Sequence, residues 1–284
     1  MSNPVDTRAD HRAGTLWIVA TPIGNLDDLS PRAASTLRQV AVVAAEDTRT
    51  SRRLFGDGQA PEMISLHEHN EAEVSICLVE RLGRGDDVAL ISDAGTPLVS
   101  DPGYRLVAAA HHAGIPVRTV PGPCAAVAAL SVAGLPSDRF WFEGFLPAKP
   151  GQRRGRLETL TPMPATLIFY APARDLPAIL YDMSDILGSD RLATLGRELT
   201  KLHETVHRAP LSELANWVST DSNQQRGEAV LVVSGCPDPA PAINPETLAR
   251  ELARELPPSR AAKVLARLTG MSRKEAWEKV EGGE

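Results

Sequence analysis

Short apolar runs at residues 16–20, 40–45, 88–91 and 116–120 recur through the first half of the chain, separated by helically spaced segments and brief polar punctuation. That alternation predicts a parallel, doubly wound α/β sheet. Ser30 ahead of Pro31 supplies an N-cap followed by a first-turn proline, so a helix is expected over Pro31–Gln39. A second set of strands is expected at 165–170, 191–199 and 228–234. Between the two sets, residues 144–164 break into Gly, Pro and basic residues and read as a hinge or arm. Cys236-Pro237-Asp238-Pro239-Ala240-Pro241 cannot continue a central strand. Beyond it, 245–255, 259–268 and 272–280 read as three short helices, the last pair joined by Thr269-Gly270-Met271 in a manner compatible with a helix-turn-helix. The expected organisation is a disordered tail (1–13), one α/β domain (14–134), a second (135–235), and a linker with a small helical domain (236–284).

The loops leaving the first-half strands carry the least ordinary residues. One runs from Ser92-Asp93-Ala94-Gly95-Thr96-Pro97 to Ser100-Asp101-Pro102-Gly103; another is Pro121-Gly122-Pro123-Cys124-Ala125. Ligands of open α/β sheets bind beyond the carboxyl ends of strands, so these loops are expected to face one crevice. Gly95 and Gly122 would let backbone approach a ligand, while the prolines hold neighbouring groups in place. The loop after the first strand, residues 21–29, has the position of a phosphate loop but lacks both the Gly-x-Gly-x-x-Gly pattern and a Walker lysine.

A length of 284 residues fits about two domains, and 43% hydrophobic with 23% charged residues is ordinary for a soluble protein. No apolar stretch approaches the roughly 20 residues of a membrane span, and the polar start of the chain does not read as a signal peptide, so a cytoplasmic location is expected. The three cysteines, Cys77, Cys124 and Cys236, lie far apart and form no Cys-x-x-Cys pair, which suggests neither a disulfide framework nor a thiolate metal cage. A net charge of −6 argues against indiscriminate coating of nucleic acid. The cations are nevertheless segregated: Lys149, Arg153, Arg154 and Arg156 share a stretch without acids, and Arg260, Lys263, Arg267, Arg273, Lys274 and Lys279 mark the C-terminal segment.

His203-Glu204-Thr205-Val206-His207 matches the His-Glu-x-x-His pattern of zinc proteases. Its β-branched residues, the nearby Pro210 and the strand-like residues before it disfavour the helix that zinc would need, so no metal is expected. Glu46 and Asp47 end a strand and precede Arg49, Arg52 and Arg53; the acids could cap a helix or face the crevice, with arginines available for phosphates. Tyr170, Arg197-Glu198-Leu199-Thr200-Lys201 and Gly227-Glu228-Ala229 stand at ends of second-half strands, which suggests that the second domain covers the crevice of the first.

Taken in order, Ala20-Thr21-Pro22-Ile23-Gly24-Asn25, Glu46-Asp47-Thr48-Arg49, Ser92 to Pro97, Ser100 to Gly103, Pro121-Gly122-Pro123 and Arg197 to Lys201 resemble the tetrapyrrole methylase superfamily, and within it the branch that modifies ribosomal RNA. The resemblance spans about residues 14–235, and the C-terminal helices fit the same branch. It implies two α/β domains holding S-adenosylmethionine in a cleft, a homodimer, and 2'-O-methylation of a cytidine in the decoding region of 16S rRNA within the small ribosomal subunit. By position, the resemblance assigns cofactor contacts to Pro22, Gly95, Thr96, Pro97, Leu98, Ser100 and Asp101, then to Pro121, Gly122, Pro123, Cys124 and Ala125, and finally to Tyr170, Gly227, Glu228 and Ala229. Two departures stand out: Ala171-Pro172-Ala173-Arg174-Asp175 lacks a glutamate and a histidine usual in the branch, and Pro123-Cys124 replaces small hydroxyl residues.

A ribose hydroxyl attacks only as its proton leaves, so a general base is expected among Glu46, Asp47, Glu198 and Lys201, the lysine only if its pKa is lowered. Arg49, Arg52, Lys149, Arg153, Arg154 and Arg197 suit substrate phosphates. A methyltransferase for a corrin or porphyrin precursor is the alternative; it would share the cleft without needing the basic segments. A zinc protease and a non-catalytic RNA-binding protein are the rivals from other classes, the latter marked by failure to bind S-adenosylmethionine.

Overall fold

The computed structural model describes residues 12–56, 58–237 and 245–282, so the expected tail lies outside the described residues up to position 11. The first half builds β1 (Leu16–Val19), α1 (Pro31–Gln39), β2 (Val42–Ala45), α2 (Thr48–Ser51), β3 (Glu62–Ser65), α3 (Glu71–Gly83), β4 (Val88–Ile91), α4 (Tyr104–His112), β5 (Val117–Val120) and α5 (Ala125–Ala133). The five strands are all parallel, in the order β3-β2-β4-β1-β5. Val42, Ala44, Val88 and Leu90 pack against Leu78, Leu82 and Leu106 of α3 and α4 on one face. Val43, Ala45, Ala89 and Ile91 pack against Ala33 and Leu37 of α1 on the other. Burial on both faces is why these strands read as unbroken apolar runs rather than as alternation. The hydroxyl of Ser30 caps α1 by accepting the Ala33 N–H at 3.0 Å. The edge strand β3 is half-exposed and its sequence Glu62-Met63-Ile64-Ser65 carries too weak a pattern to be read in advance.

The second half builds β6 (Phe140–Phe145), α6 (Pro150–Leu160), β7 (Thr166–Pro172), α7 (Leu176–Leu187), β8 (Leu192–Arg197), β9 (Thr205–Pro210), α8 (Leu211–Thr220) and β10 (Glu228–Val233). Their sheet has the order β6-β7-β10-β8-β9; β6 and β7 are parallel and the other pairs antiparallel. Leu157, Leu180, Met183, Leu214 and Val218 of α6, α7 and α8 bury one face over Phe169, Leu195 and Leu231. The opposite face, with Ile168, Val230 and Val232, is covered by Ala126, Ala129, Leu130 and Ala133 of α5. Helix α5 thus follows the first sheet in sequence but packs on the second, and both sheets belong to one compact unit that ends at Gly235. The stretch expected to be a hinge or arm is the end of β6 followed by α6, which Pro150 starts and which Leu157 and Leu160 bury.

Residues 205–210 form β9, so His203 and His207 do not share a helix face; the His207 ring packs on Trp217 with centroids 4.4 Å apart. No group of three metal-ligating side chains occurs among the described residues. After position 235 a separate unit contains α9 (Pro245–Glu255), α10 (Pro258–Thr269) and α11 (Arg273–Glu281) around Ala249, Ala261, Leu265, Ala276 and Val280. Gly270, at φ +73°, ends α10 in the left-handed conformation, and Ser272 with Glu275 forms a capping box that starts α11. That turn is why two helices follow each other so closely.

Candidate functional site

Three loops at the carboxyl end of the first sheet are tied to one another. The Thr21 N–H donates to the Gly95 carbonyl at 2.8 Å, and the Gly95 N–H donates back to Thr21 at 3.1 Å. The Thr21 hydroxyl donates to the Ser92 carbonyl at 3.1 Å, and the Thr96 hydroxyl to the Pro123 carbonyl at 2.9 Å. Gly95 sits at φ +86°, where a side chain would be strained. Gly122 answers a different need from the one expected: a Cβ there would lie 3.0 Å from the Ala20 Cβ, so its glycine serves loop-to-loop packing. Leu98 and Ser100 adopt φ +72° and +65°, a conformation costing non-glycine residues roughly 1–2 kcal/mol each. Such strain persists only where the surroundings impose it. Here the buried carboxylate of Glu71 on α3 accepts the Gly103 and Arg105 N–H groups at 3.0 and 2.8 Å, fixing the loop from behind.

The second sheet closes the other side. Tyr170 on β7 accepts the Ala126 N–H through its hydroxyl at 3.2 Å and meets Phe142 and Phe145 edge-on. Burial pushes its phenol well above the usual tyrosine range. Past β8, Glu198 and Thr200 also adopt positive φ, 50° and 65°. The Lys201 ammonium lies 2.9 Å from Glu198 Oε1 and 2.9 Å from Glu228 Oε2, and the Glu228 N–H donates to Glu198 Oε1 at 2.9 Å. The Lys201 stem passes so close to Gly24 that a Cβ there would lie 2.3 Å from its Cγ. Residues 198–201 therefore form a strap from the second sheet to the loop after β1.

Between these walls is a cavity of about 360 Å³. Of the positions assigned to the cofactor, Gly95, Thr96, Ser100, Asp101 and Ala125 line it from the first sheet, and Tyr170, Gly227, Glu228 and Ala229 from the second. Pro22, Pro97, Pro121, Gly122, Pro123 and Cys124 belong to the same loops without forming its wall, and Leu98 packs into the core beneath β4. Glu198 and Lys201 line it as well, together with Ile23, Phe145 and Leu199, which sequence reasoning passed over. The aromatic run Phe140-Trp141-Phe142 before Phe145 was the available signal for that strand.

The titratable groups separate by environment. Burial, reinforced by the negative charges of Glu46 and Asp93 and partly offset by the Ser92 hydroxyl, raises Asp101 to about 6. Glu46 is also raised, by burial and by Asp93, against the pull of His67. The Arg49 guanidinium and backbone lower Asp47 to about 2, and its carboxylate caps α2 at the Arg49 and Thr50 N–H groups. Burial disfavours the charge on Glu198, but the Lys201 ammonium and the Glu228 N–H outweigh it and hold the carboxyl low. Burial likewise opposes the Lys201 charge, and Glu198 with Glu228 more than restores it, so this amine is held cationic.

The residues expected to meet phosphate divide sharply. Arg49, Arg52 and Lys149 are exposed, the first beside Asp47 at 3.0 Å. Arg153 is buried on Asp182 at 2.7 Å, and Arg154 bridges Asp182 and Asp185. Arg197 is buried too, donating to Gln224, to the Arg226 and His203 carbonyls and to Thr205. Arg153 and Arg197 cannot reach a phosphate without breaking these bonds; burial of a guanidinium demands internal partners, and both have them.

Residues 15–215 match the family model described as Tetrapyrrole (Corrin/Porphyrin) Methylases, and residues 239–278 match that of the RsmI C-terminal HTH domain. The Pseudomonas aeruginosa protein named Ribosomal RNA small subunit methyltransferase I is 55% identical over 91% of this chain and 94% of its own length. The protein of the same name from Escherichia coli O157:H7 is 48% identical over 93% of this chain and 94% of its own. Among solved structures, the methyltransferase CobJ is similar with a TM-score of 0.60 at 19% identity, covering 78% of this chain and 95% of that one. Uroporphyrin-III C-methyltransferase from Thermus thermophilus, complexed with S-adenosylhomocysteine, has a TM-score of 0.54 at 19% identity, covering 78% and 97%. Those two likenesses concern the fold, whereas the full-length identities reach through the strap, the cavity loops and the C-terminal helices, and on them this chain belongs to the tetrapyrrole methylase family, in its ribosomal RNA small subunit methyltransferase I branch.

Proposed function

We propose that this methyltransferase moves the methyl group of S-adenosylmethionine to the 2'-hydroxyl of a cytidine in the decoding region of 16S rRNA, presented within the small ribosomal subunit. The observation that carries this reading is the continuity of the match: similarity to the ribosomal RNA branch spans both the cavity-forming sheets and the C-terminal helical unit. The corrin or porphyrin alternative rests on the broad family model over residues 15–215 and on fold likeness at 19% identity.

The cavity suits the cofactor. Its volume falls within the roughly 300–1,000 Å³ of small-molecule sites. Its wall combines main chain at Gly95, Thr96 and Gly227 with the apolar side chains of Ile23 and Leu199, which matches a ligand having polar and apolar parts. Bound there, the cofactor supplies an electrophilic sulfonium methyl. Proton removal from the attacking hydroxyl falls to Asp101. It lines the cavity, is ionised in most molecules at neutral pH, and retains more proton affinity than an ordinary carboxylate. Glu46 and Asp93 sustain that affinity by like charge. Asp47, Glu198 and Lys201 are poor bases for the reason that each is already paired. The ion-paired strap instead holds the two sheets' loops in register, and alignment of the two reactants accounts for the rest of the acceleration.

Exposed Arg49, Arg52 and Lys149 on the sheet unit, and separately the cations of α10 and α11 on the C-terminal unit, are the groups available to phosphate. Helix α5 is apolar except at Ser131 and exposes Val127 and Val132, a face suited to cover by a second copy, so a homodimer is expected by sedimentation. No described helix is long and apolar enough to cross a membrane; an enzyme that acts on ribosomal RNA is expected in the cytoplasm.

The test is nucleoside mass spectrometry of 16S rRNA from cells lacking the protein, followed by methylation of the recovered subunits with labelled cofactor. One 2'-O-methylcytidine should disappear and return with the wild-type protein but not with Asp101→Asn. Unchanged rRNA beside an altered corrin or haem precursor pool would overturn the reading.

A further inference from the structure

The edge strand β6 contains a bulge that changes where one aromatic side chain points. Phe142 pairs with Ile168, but Gly144 pairs with Phe169 and Phe145 with Tyr170, leaving Glu143 as the extra residue. In a regular strand Phe142 and Phe145 would lie on opposite faces, because side chains alternate. The bulge brings both to the face of Tyr170, whose ring they meet edge-on at centroid distances of 5.0 and 5.5 Å. The bulge is held on two sides. Arg156 of α6 grips the Glu143 carboxylate through Nε and a terminal nitrogen at 2.6 and 2.7 Å. Gly144, at φ +73°, leaves room for the Ser100 hydroxyl, which would lie 3.1 Å from a Cβ. Phe145 consequently lines the cavity while remaining 58% exposed, an apolar ring open to solvent at the cavity's edge.

We propose that Phe145 is the surface on which the target nucleobase stacks, an inference that rests on the RNA 2'-O-methylation reading above. A ribose hydroxyl presented to Asp101 brings its own base along, since only the sugar ring separates them. The Gly144–Ser100 approach puts the bulge against the residue that precedes Asp101. Single-stranded or flipped-out bases are held by stacking on aromatic side chains, and a ring already supported by Tyr170 loses little freedom when it accepts one. Cytidine recognition would then depend on a π-face, not on hydrophobic volume alone.

The full-length protein is assayed on small subunits from cells lacking it, with isothermal titration of S-adenosylmethionine alongside. Phe145→Leu should lower kcat/KM for the subunits about ten- to hundredfold, the range expected for loss of one base–aromatic stack. Cofactor affinity should stay within about twofold, and Phe145→Tyr, which keeps the π-face, should restore kcat/KM to within about threefold. Equal activity of the Leu and wild-type proteins would overturn the proposal. So would a parallel loss of cofactor affinity, which would make Phe145 a wall of the cofactor site. A wild-type protein inactive on the subunits would instead remove the underlying reading, and this proposal with it.

Discussion

Removing Asp182 separates a structural from an RNA-binding role for the basic stretch in α6. Arg153 and Asp182 are each only 8% exposed in their side chains and join α6 to α7 at 2.7 Å, while a further Arg153 donor reaches the Ala148 carbonyl at 3.3 Å. Asp182→Ala would leave the guanidinium buried without its counter-charge, a change worth about 3–5 kcal/mol. Against a typical total of about 5–15 kcal/mol, that is a large fraction of the stability. Arg153→Met combined with Asp182→Leu removes both charges and keeps apolar volume, so the double variant should return close to wild-type stability. Arg154 loses one partner in both variants but keeps Asp185 and stands near solvent, so it does not separate them. Urea unfolding followed by tryptophan fluorescence measures the stabilities, and binding to small subunits over a salt series measures the phosphate contacts. A buried, structural Arg153 leaves the salt slope of the double variant unchanged. Equal destabilisation of single and double variants, or a slope smaller by about one unit as expected for loss of one phosphate contact, would refute the reasoning.

Asp101→Asn should abolish methyl transfer, and the wild-type rate on subunits should rise with pH through about 6 and then level, because the ionised carboxylate is the active form. The same raised pKa means the native state resists ionising this group, so its contribution to stability is present at low pH and lost as pH rises through about 6. Asp101→Asn should therefore melt higher than wild type at pH 7, an advantage that vanishes near pH 4, as calorimetry can show. Glu71→Ala strands the Gly103 and Arg105 N–H groups and should cost about 2 kcal/mol, a fall of about 4–8 °C in Tm, with weakened cofactor binding through the loosened loop. Deleting residues 245–284 should leave cofactor titration unchanged and weaken subunit binding most at low salt, with a smaller salt slope; a truncated protein that methylates normally at limiting subunit concentration would contradict this.

Much of the fold was legible because its causes are local. Four strands of the first sheet were readable as buried apolar runs, the Ser30 cap and Pro31 marked the start of α1 at the observed residue, and the prolines after Cys236 marked the end of the sheets. The loops that line the cavity were legible for the same reason, as Gly- and Pro-rich breaks after strands. Charge was not legible in this way. Arg153 and Arg197 look like free cations in a basic stretch or at a strand end, yet their partners Asp182 and Gln224 lie 29 and 27 residues further on. Asp101 looked like one more loop carboxylate until burial beside Glu46 and Asp93 raised its proton affinity. The bulge at Glu143 is equally non-local, since it exists only as a mismatch with β7 and is gripped from α6. Helix formation, capping and chain reversal are decided by a few neighbouring residues and are written in their order. The worth of a charge or the aim of a side chain depends on what distant segments bring within a few ångströms, and that is settled only when the sheets pack.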